Sequence, residues 1–269
     1  MPEPSLSLTY FDYRAEVGLY LGYGRGDEGD NTDVAWNDSQ TKAVNSIVAA
    51  GQRQFYDPPI LEGERSSHRW SFLKPIASII LRDGDQTVRM PADFGGFEGP
   101  LTVTVSGGTV PGPINLVGEG VIRQQYAVND DTTGQPQAAA LQPLKGVDVD
   151  ASNRWQLYVW PEADADYTLQ FPYYILPDAI SGAKPYSYGG QRHVETVLAS
   201  CLERAEFLKD NARGICYANW IERLAASVSA DRDMQPQYLG YNGDRSYGRN
   251  PRPLRDYWVS TTLDGGAWS

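Results

Sequence analysis

The spacing of apolar residues changes period twice along this chain, and that pattern limits its fold more than any single motif does. In TYFDYRAEVGLYLGY, Tyr10, Tyr13, Val17, Tyr20 and Leu21 recur at helical spacing; in WNDSQTKAVNSIVAAGQRQFY, so do Val44, Ile47, Val48, Gly51 and Phe55. Asp38 or Ser39 is placed to cap the second helix, and Asp57-Pro58-Pro59 ends it, because proline lacks an amide donor and disfavours helix in the residue before it. From about 69 to 176 the period becomes two. Leu101, Val103 and Val105 alternate with threonines, Trp155, Leu157 and Val159 with Gln156, Tyr158 and Trp160, and Tyr167, Leu169, Phe171 and Tyr173 continue the pattern. The helical period then returns in two stripes: Val194, Val197, Leu198, Cys201, Ala205 and Leu208, and, after the turn KDNARG, Ala218, Ile221, Leu224, Ala225 and Val228.

An amphipathic stripe must find a partner, and the simplest closure packs the first helix pair against the last. The expected fold is therefore α+β: a four-helix bundle built from both chain ends (helices at 9–22, 38–55, 192–210 and 215–232) with an inserted antiparallel β-sandwich or small barrel. In domain terms this assigns 1–60 and 186–234 to the bundle, 61–185 to the β unit and 235–269 to an extended C-terminal arm. The turn-rich stretches DGDQ, SGGTVPGP, NDDTTGQP and EADAD mark strand connections.

The segment GRGDEG has the G-x-G-x-x-G spacing of a dinucleotide loop, but it follows a helix where that chemistry needs a strand. Asp27, Glu28, Asp30 and Asp33 would also repel phosphate. It reads instead as a helix C-terminus, with Gly22, Gly24 and Gly26 free to take left-handed conformations, followed by an acidic loop. A net charge of -11 argues against a general nucleic-acid grip, which relies on a positive footprint. No stretch approaches the roughly 20 apolar residues of a membrane helix, and MPEPSLSL lacks the basic and apolar regions of a signal peptide, so the expectation is a soluble, unexported chain.

Catalytic and metal chemistry find little support. Cys201 and Cys216 form no C-x-x-C and no cluster with His68 and His193, so reduced thiols are expected, and neither a metal site nor a cofactor. His193 and Cys201 lie eight positions apart on one helix, about 12 Å of rise, beyond hydrogen-bond reach. His193 reads as a helix-boundary residue beside Gly189-Gly190, and His68 as a strand-entrance residue without a partner cluster. A glycosidase places two carboxyl groups across a sugar bond, and Glu162, Asp164 and Asp166 alternate between two apolar strands, yet in EADAD they occupy an expected hairpin tip. Asp83, Asp85, Asp130 and Asp131 read as solvated turns. No enzyme is indicated.

Residues 235–269 carry no sustained period but are rich in Tyr, Trp and Arg, the residues that dominate interface energetics. Arg245, Arg249, Arg252 and Arg255 against Asp244, Asp256 and Asp264 make the arm slightly basic on an acidic chain. The expected docking residues are Tyr241, Asn242, Gly243, Asp244, Arg245, Tyr247, Arg249, Arg252, Tyr257 and Trp258, with GYNGD turning the arm.

Several stretches together resemble the head-to-tail adaptor (connector) proteins of tailed bacteriophages: EVGLYLGYGRG, GQRQFYDPP, HRWSFLKP, RWQLYVWP with YTLQFPYYI, GGQRHVETVLASCLERAE and GYNGDRS. They are spread in order along nearly the whole chain. The resemblance implies a virion protein at the head–tail interface, assembled in the host cytoplasm. It implies a homo-oligomeric ring of about twelve subunits that binds the portal protein on one side and a downstream tail protein (a stopper, terminator or nozzle) on the other. Viral double-stranded DNA would pass through the lumen without specific binding, and no reaction or membrane is implied. A second expectation, from the β unit alone, is a carbohydrate-binding tail component on a helical base.

Overall fold

A computed structural model describes residues 6–26, 35–105, 113–129, 132–144 and 154–234. The helices α1 (Tyr10–Leu21) and α2 (Asp38–Tyr56) come first. They are followed by β1 (Ile76–Leu81), β2 (Thr87–Arg89), β3 (Phe94–Phe97), β4 (Leu101–Val105) and β5 (Pro113–Leu116). Then come α3 (Glu119–Val128), β6 (Ala138–Pro143), β7 (Trp155–Trp160), β8 (Tyr167–Ile175), α4 (Val194–Asp210) and α5 (Ile215–Met234). The acidic loop after Gly26, most of SGGTVPGP, Asp130, Asp131 and the whole C-terminal arm lie outside the described residues.

The local signals for the first two helices act as expected, with one correction. Thr9 and Asp12 cap α1 reciprocally, and Gly22 closes it at φ 81°, a left-handed conformation shared by Gly24 and Gly26. Asn37, rather than Asp38 or Ser39, caps α2: its side chain accepts from the Gln40 amide while Gln40 returns a bond to the Asn37 amide. Asn37 wins because the capping oxygen must precede the first helical residue. The expected stripe of α2, Val44 through Phe55, is buried, and the helix stops at Tyr56 before the prolines.

Helix α4 is central, packed by α1, α2 and α5. Polar Thr196, Ser200 and Glu203 are therefore buried beside the expected Val194, Val197, Cys201 and Ala205, whereas Leu208, expected in the stripe, is exposed. The α2–α4 crossing is close: a side chain at Gly51 would meet the Cα and Sγ of Cys201 at 2.7 Å, and Ser200 Oγ donates to the Gly51 carbonyl at 2.8 Å. On α5 the buried face holds Trp220, Leu224, Ser227, Val228 and Asp231, so the expected Leu224 and Val228 are joined by residues one step around the helix from Ile221 and Ala225.

The β unit is a nearly closed, barrel-like sheet in the order β1-β8-β4-β5-β6-β7-β2, with β3 pairing the C-terminal half of β8. Inward residues alternate along the strands: Leu101 and Val103, Leu157 and Val159, and Tyr167, Leu169, Phe171, Tyr173 and Ile175 are all buried. Two expectations need correction. The sheet is mixed rather than antiparallel, because β5 pairs parallel with β6 (Asn115 opposite Ala138). Parallel neighbours need a crossover, which α3 supplies. Its Ile122 and Tyr126 pack on Ala140 at the outer face of β6 and β7, and Tyr126 Oη donates to the Val159 carbonyl at 2.8 Å.

The stretch EADAD is also not a hairpin tip. β7 pairs with β6 and β2, and β8 with β1, β4 and β3, so residues 161–166 link strands that are not partners. The link runs along the β1–β2 turn, where Ala163 O accepts from the Gly84 amide at 2.9 Å. A single buried cluster continues from Tyr13, Val48, Phe55 and Val197 of the helices into Leu81, Leu157 and Phe171 of the barrel.

Candidate functional site

All the docking residues expected on the arm, Tyr241 through Trp258, lie outside the described residues. What is described is the end of α5 from which that segment leaves. Asp231 is 1% exposed, and its carboxylate accepts from His68 Nε2 at 2.7 Å, from Ser71 Oγ at 2.5 Å and from the Ser71 amide at 3.1 Å. Burial pushes this carboxyl up, but the hydrogen bonds from Ser71 and His68 outweigh it and hold the group below the ordinary carboxylate range. One residue on, Arg232 pairs with Glu64 at 2.8 Å. The last turn of α5 is thus fastened to the segment that enters the barrel.

His68 does have a partner cluster, contrary to the sequence reading. Ser71 is only three residues away, but the carboxylate that joins the two, Asp231, lies 163 residues from His68 along the chain, so no local signal could reveal the cluster. Ser, His and Asp meet here, but both side chains give their hydrogens to the carboxylate. An activated nucleophile would need the histidine ring to accept from the serine hydroxyl, so the cluster is a clamp and not a relay. His193 ends a short 3-10 turn (Gln191–His193) at the start of α4 and is buried against Phe55, Trp70 and Phe72. Burial holds its imidazole below its ordinary value. Trp70 Nε1 donates to the Phe55 carbonyl at 2.8 Å, which locks this aromatic group to the end of α2.

Cys201 is a buried free thiol, pushed up to about 12 by burial, and Cys216 is a half-buried free thiol. Glu162 and Asp166 tie the link to the β1–β2 region, and Asp164 bonds within the link itself. Glu162 accepts from Gln86 Nε2, Asp164 from Tyr167 Oη, and Asp166 from the Asp83 amide. Among the described residues no group of three His, Cys, Asp or Glu is placed to hold a metal ion, and no helix is long and apolar enough to cross a membrane.

Two groups stand out among the exposed apolar side chains. On β1, Ile76 and Ile80 point away from the core at 75% and 62% exposure. In the other group, Leu19 near the end of α1, Phe207 and Leu208 near the end of α4 and Ile215 at the start of α5 are exposed. These helix ends are tied together, because Lys209 Nζ donates to the Tyr20 carbonyl at 3.2 Å and lies over its ring. The Glu206 carboxylate accepts from the amides of Gly214, Cys216 and Tyr217, capping α5. No protein-family model matches the chain, and no curated protein matches it.

Proposed function

We propose that the chain is a structural subunit of a head-to-tail adaptor ring that sits below the portal of a tailed bacteriophage, joins capsid to tail and lets double-stranded DNA pass. In this reading the helices of both chain ends act as one bundle, the barrel projects from it, and residues 235–269 extend as an arm whose Tyr241, Arg245, Tyr247, Arg249, Arg252, Tyr257 and Trp258 dock on the portal or a neighbouring subunit. The ordered run of adaptor-like stretches supports it.

The observation that carries the proposal is the pair of exposed apolar places, one on β1 and one at the joined ends of α1, α4 and α5. A closed ring repeats one heterologous contact, so each subunit needs two different adhesive faces. The charge of -11 suits a protein that DNA must slide past without adhering. The reading needs no catalysis, metal or cofactor.

The test is co-sedimentation of the full chain with portal rings of the same virus, beside a chain truncated after Met234. The full chain should move with the rings, and the truncated chain should stay folded but sediment alone. Failure of the full chain to bind would remove the adaptor reading; equal binding by the truncated chain would remove the role of the arm.

A further inference from the structure

The barrel stays open along one seam. Strands β1 and β2 are joined by the turn 82–86, yet β1 pairs with β8 and β2 with β7, and no ladder links β1 to β2 among the described residues. The Tyr173 amide donates to the Pro75 carbonyl, so by the antiparallel alternation Ala77, Ile79 and Leu81 exchange their backbone bonds with β8. The N–H and C=O groups of Ile76, Ser78 and Ile80 therefore face the seam. On β2 the Gln86 carbonyl accepts from the Val159 amide and the Met90 amide donates to the Trp155 carbonyl, which turns the backbone groups of Thr87 and Arg89 to the same seam.

Side-chain burial marks the same gap. Inward residues of strands paired on both sides, Leu101, Val103, Leu157 and Val159, are fully buried. Ala77, Ile79 and Val88 also pack on the core but are only half-buried, next to the exposed Ile76, Ser78 and Ile80. Edge strands that could recruit another chain are normally blunted by charge, proline or a bulge, and Ile76–Leu81 has none of these. Two facing unpaired edges with a half-covered core between them describe a barrel short of one strand.

We propose that residues 257–263 of a neighbouring copy of this chain add as that strand, antiparallel to one of β1 and β2 and parallel to the other. Among the stretches outside the described residues, YWVSTTL is the only run of seven without glycine, proline or charge. It is mostly β-branched and aromatic. Tyr257, Val259 and Leu263 share one parity, which covers Ala77, Ile79 and Val88; Trp258 shares the other with Ser260 and Thr262, beside Ile76 and Ile80. Strand β1 of another copy fits less well, because antiparallel pairing centred on Ser78 sets Lys74 opposite Arg82. The neighbour is chosen by reach. The end of α5 is fastened to Ser71, and the five residues from Ser71 to Ile76 span at most about 18 Å, whereas residues 235–256 extend to about 70 Å. So long a stretch exceeds what its own seam requires and suits the next subunit; that choice rests on the ring reading, and the strand addition itself does not.

The test uses full-length chains with Cys216→Ser, which leaves only the buried Cys201. One preparation carries Ser78→Cys, a second Ser260→Cys and a third both. Each is treated with a short bismaleimide, alone and in mixture, with and without portal rings of the same virus. Mixing the first two should give a dimer cross-linked from position 78 of one chain to position 260 of the other. Val259→Pro in the donor chain should lower its yield at least about tenfold, while Val259→Ile keeps it. A cross-link formed only within single chains of the third preparation overturns the neighbour as donor. A yield unchanged by Val259→Pro, or no cross-link in any preparation, overturns the strand addition; whether the chain seats on the rings reports separately on the adaptor reading.

Discussion

Replacing Gly51 by alanine tests the α2–α4 crossing through the sign of its effect. In an isolated helix, Gly→Ala is stabilising by about 0.8–1 kcal/mol. Here the new methyl would lie 2.7 Å from Cys201 Cα, 2.7 Å from its Sγ and 2.8 Å from its amide nitrogen. Two of those three atoms are backbone, so no rotamer change relieves them and the helices must separate, straining the buried Ser200–Gly51 hydrogen bond. Overpacking of a tight core costs about 1–3 kcal/mol, occasionally more, so the variant should lose net stability of about 1–3 kcal/mol despite its better helix propensity. Urea unfolding followed by far-UV circular dichroism measures this, and Tm should fall by roughly 2–4 °C per kcal/mol. Adding Cys201→Ala removes only the sulfur contact and should restore little. A Gly51→Ala variant more stable than the parent would refute the close crossing.

Gly120, within α3, has nothing within 4 Å of an added methyl, so Gly120→Ala should raise stability by up to about 1 kcal/mol in the same assay; a loss would argue against the helix. Asp231→Asn should cost about 2–3 kcal/mol at neutral pH by weakening the charged hydrogen bonds from Ser71 and His68. Because the Asp231 carboxyl is lower in the folded chain than unfolded, its contribution is complete above the unfolded value of about 3.9 and is lost as pH falls through the folded value. The gap in urea midpoint between parent and variant should therefore hold through mildly acidic pH and close below it; a gap that widens in acid contradicts the clamp. With a thiol reagent, native Cys216 should react slowly and Cys201 only after unfolding; native labelling of a Cys216→Ser variant would show that Cys201 is not buried.

Where burial is one-sided, the sequence pattern and the structure agree. Helix α2 and strand β8 each bury a single periodic face, and Val44 to Phe55 and Tyr167 to Tyr173 read correctly from spacing. Helix α4 touches three other helices, so Ser200 and Glu203 are buried although their polarity places them outside. Helix α5 hides Ser227 and Asp231 because Thr196, Ser71 and His68 satisfy them, which no spacing rule can show. Helix α3 has a legible but short signal: Ile122 and Tyr126 four apart, and Glu119 with Arg123 as an i,i+4 ion pair. It was hidden between turn-rich stretches because it covers only a small patch on the outside of the sheet.

Assembly on a portal, as proposed, is tested most directly by imaging: the full chain mixed with portal rings of the same virus and examined by electron cryomicroscopy. A second ring of about twelve subunits is expected on one face of the portal, with contacts between neighbours at the β1 surface and the joined helix ends. Portal rings that carry no added density, with the chain left free in solution, would contradict it.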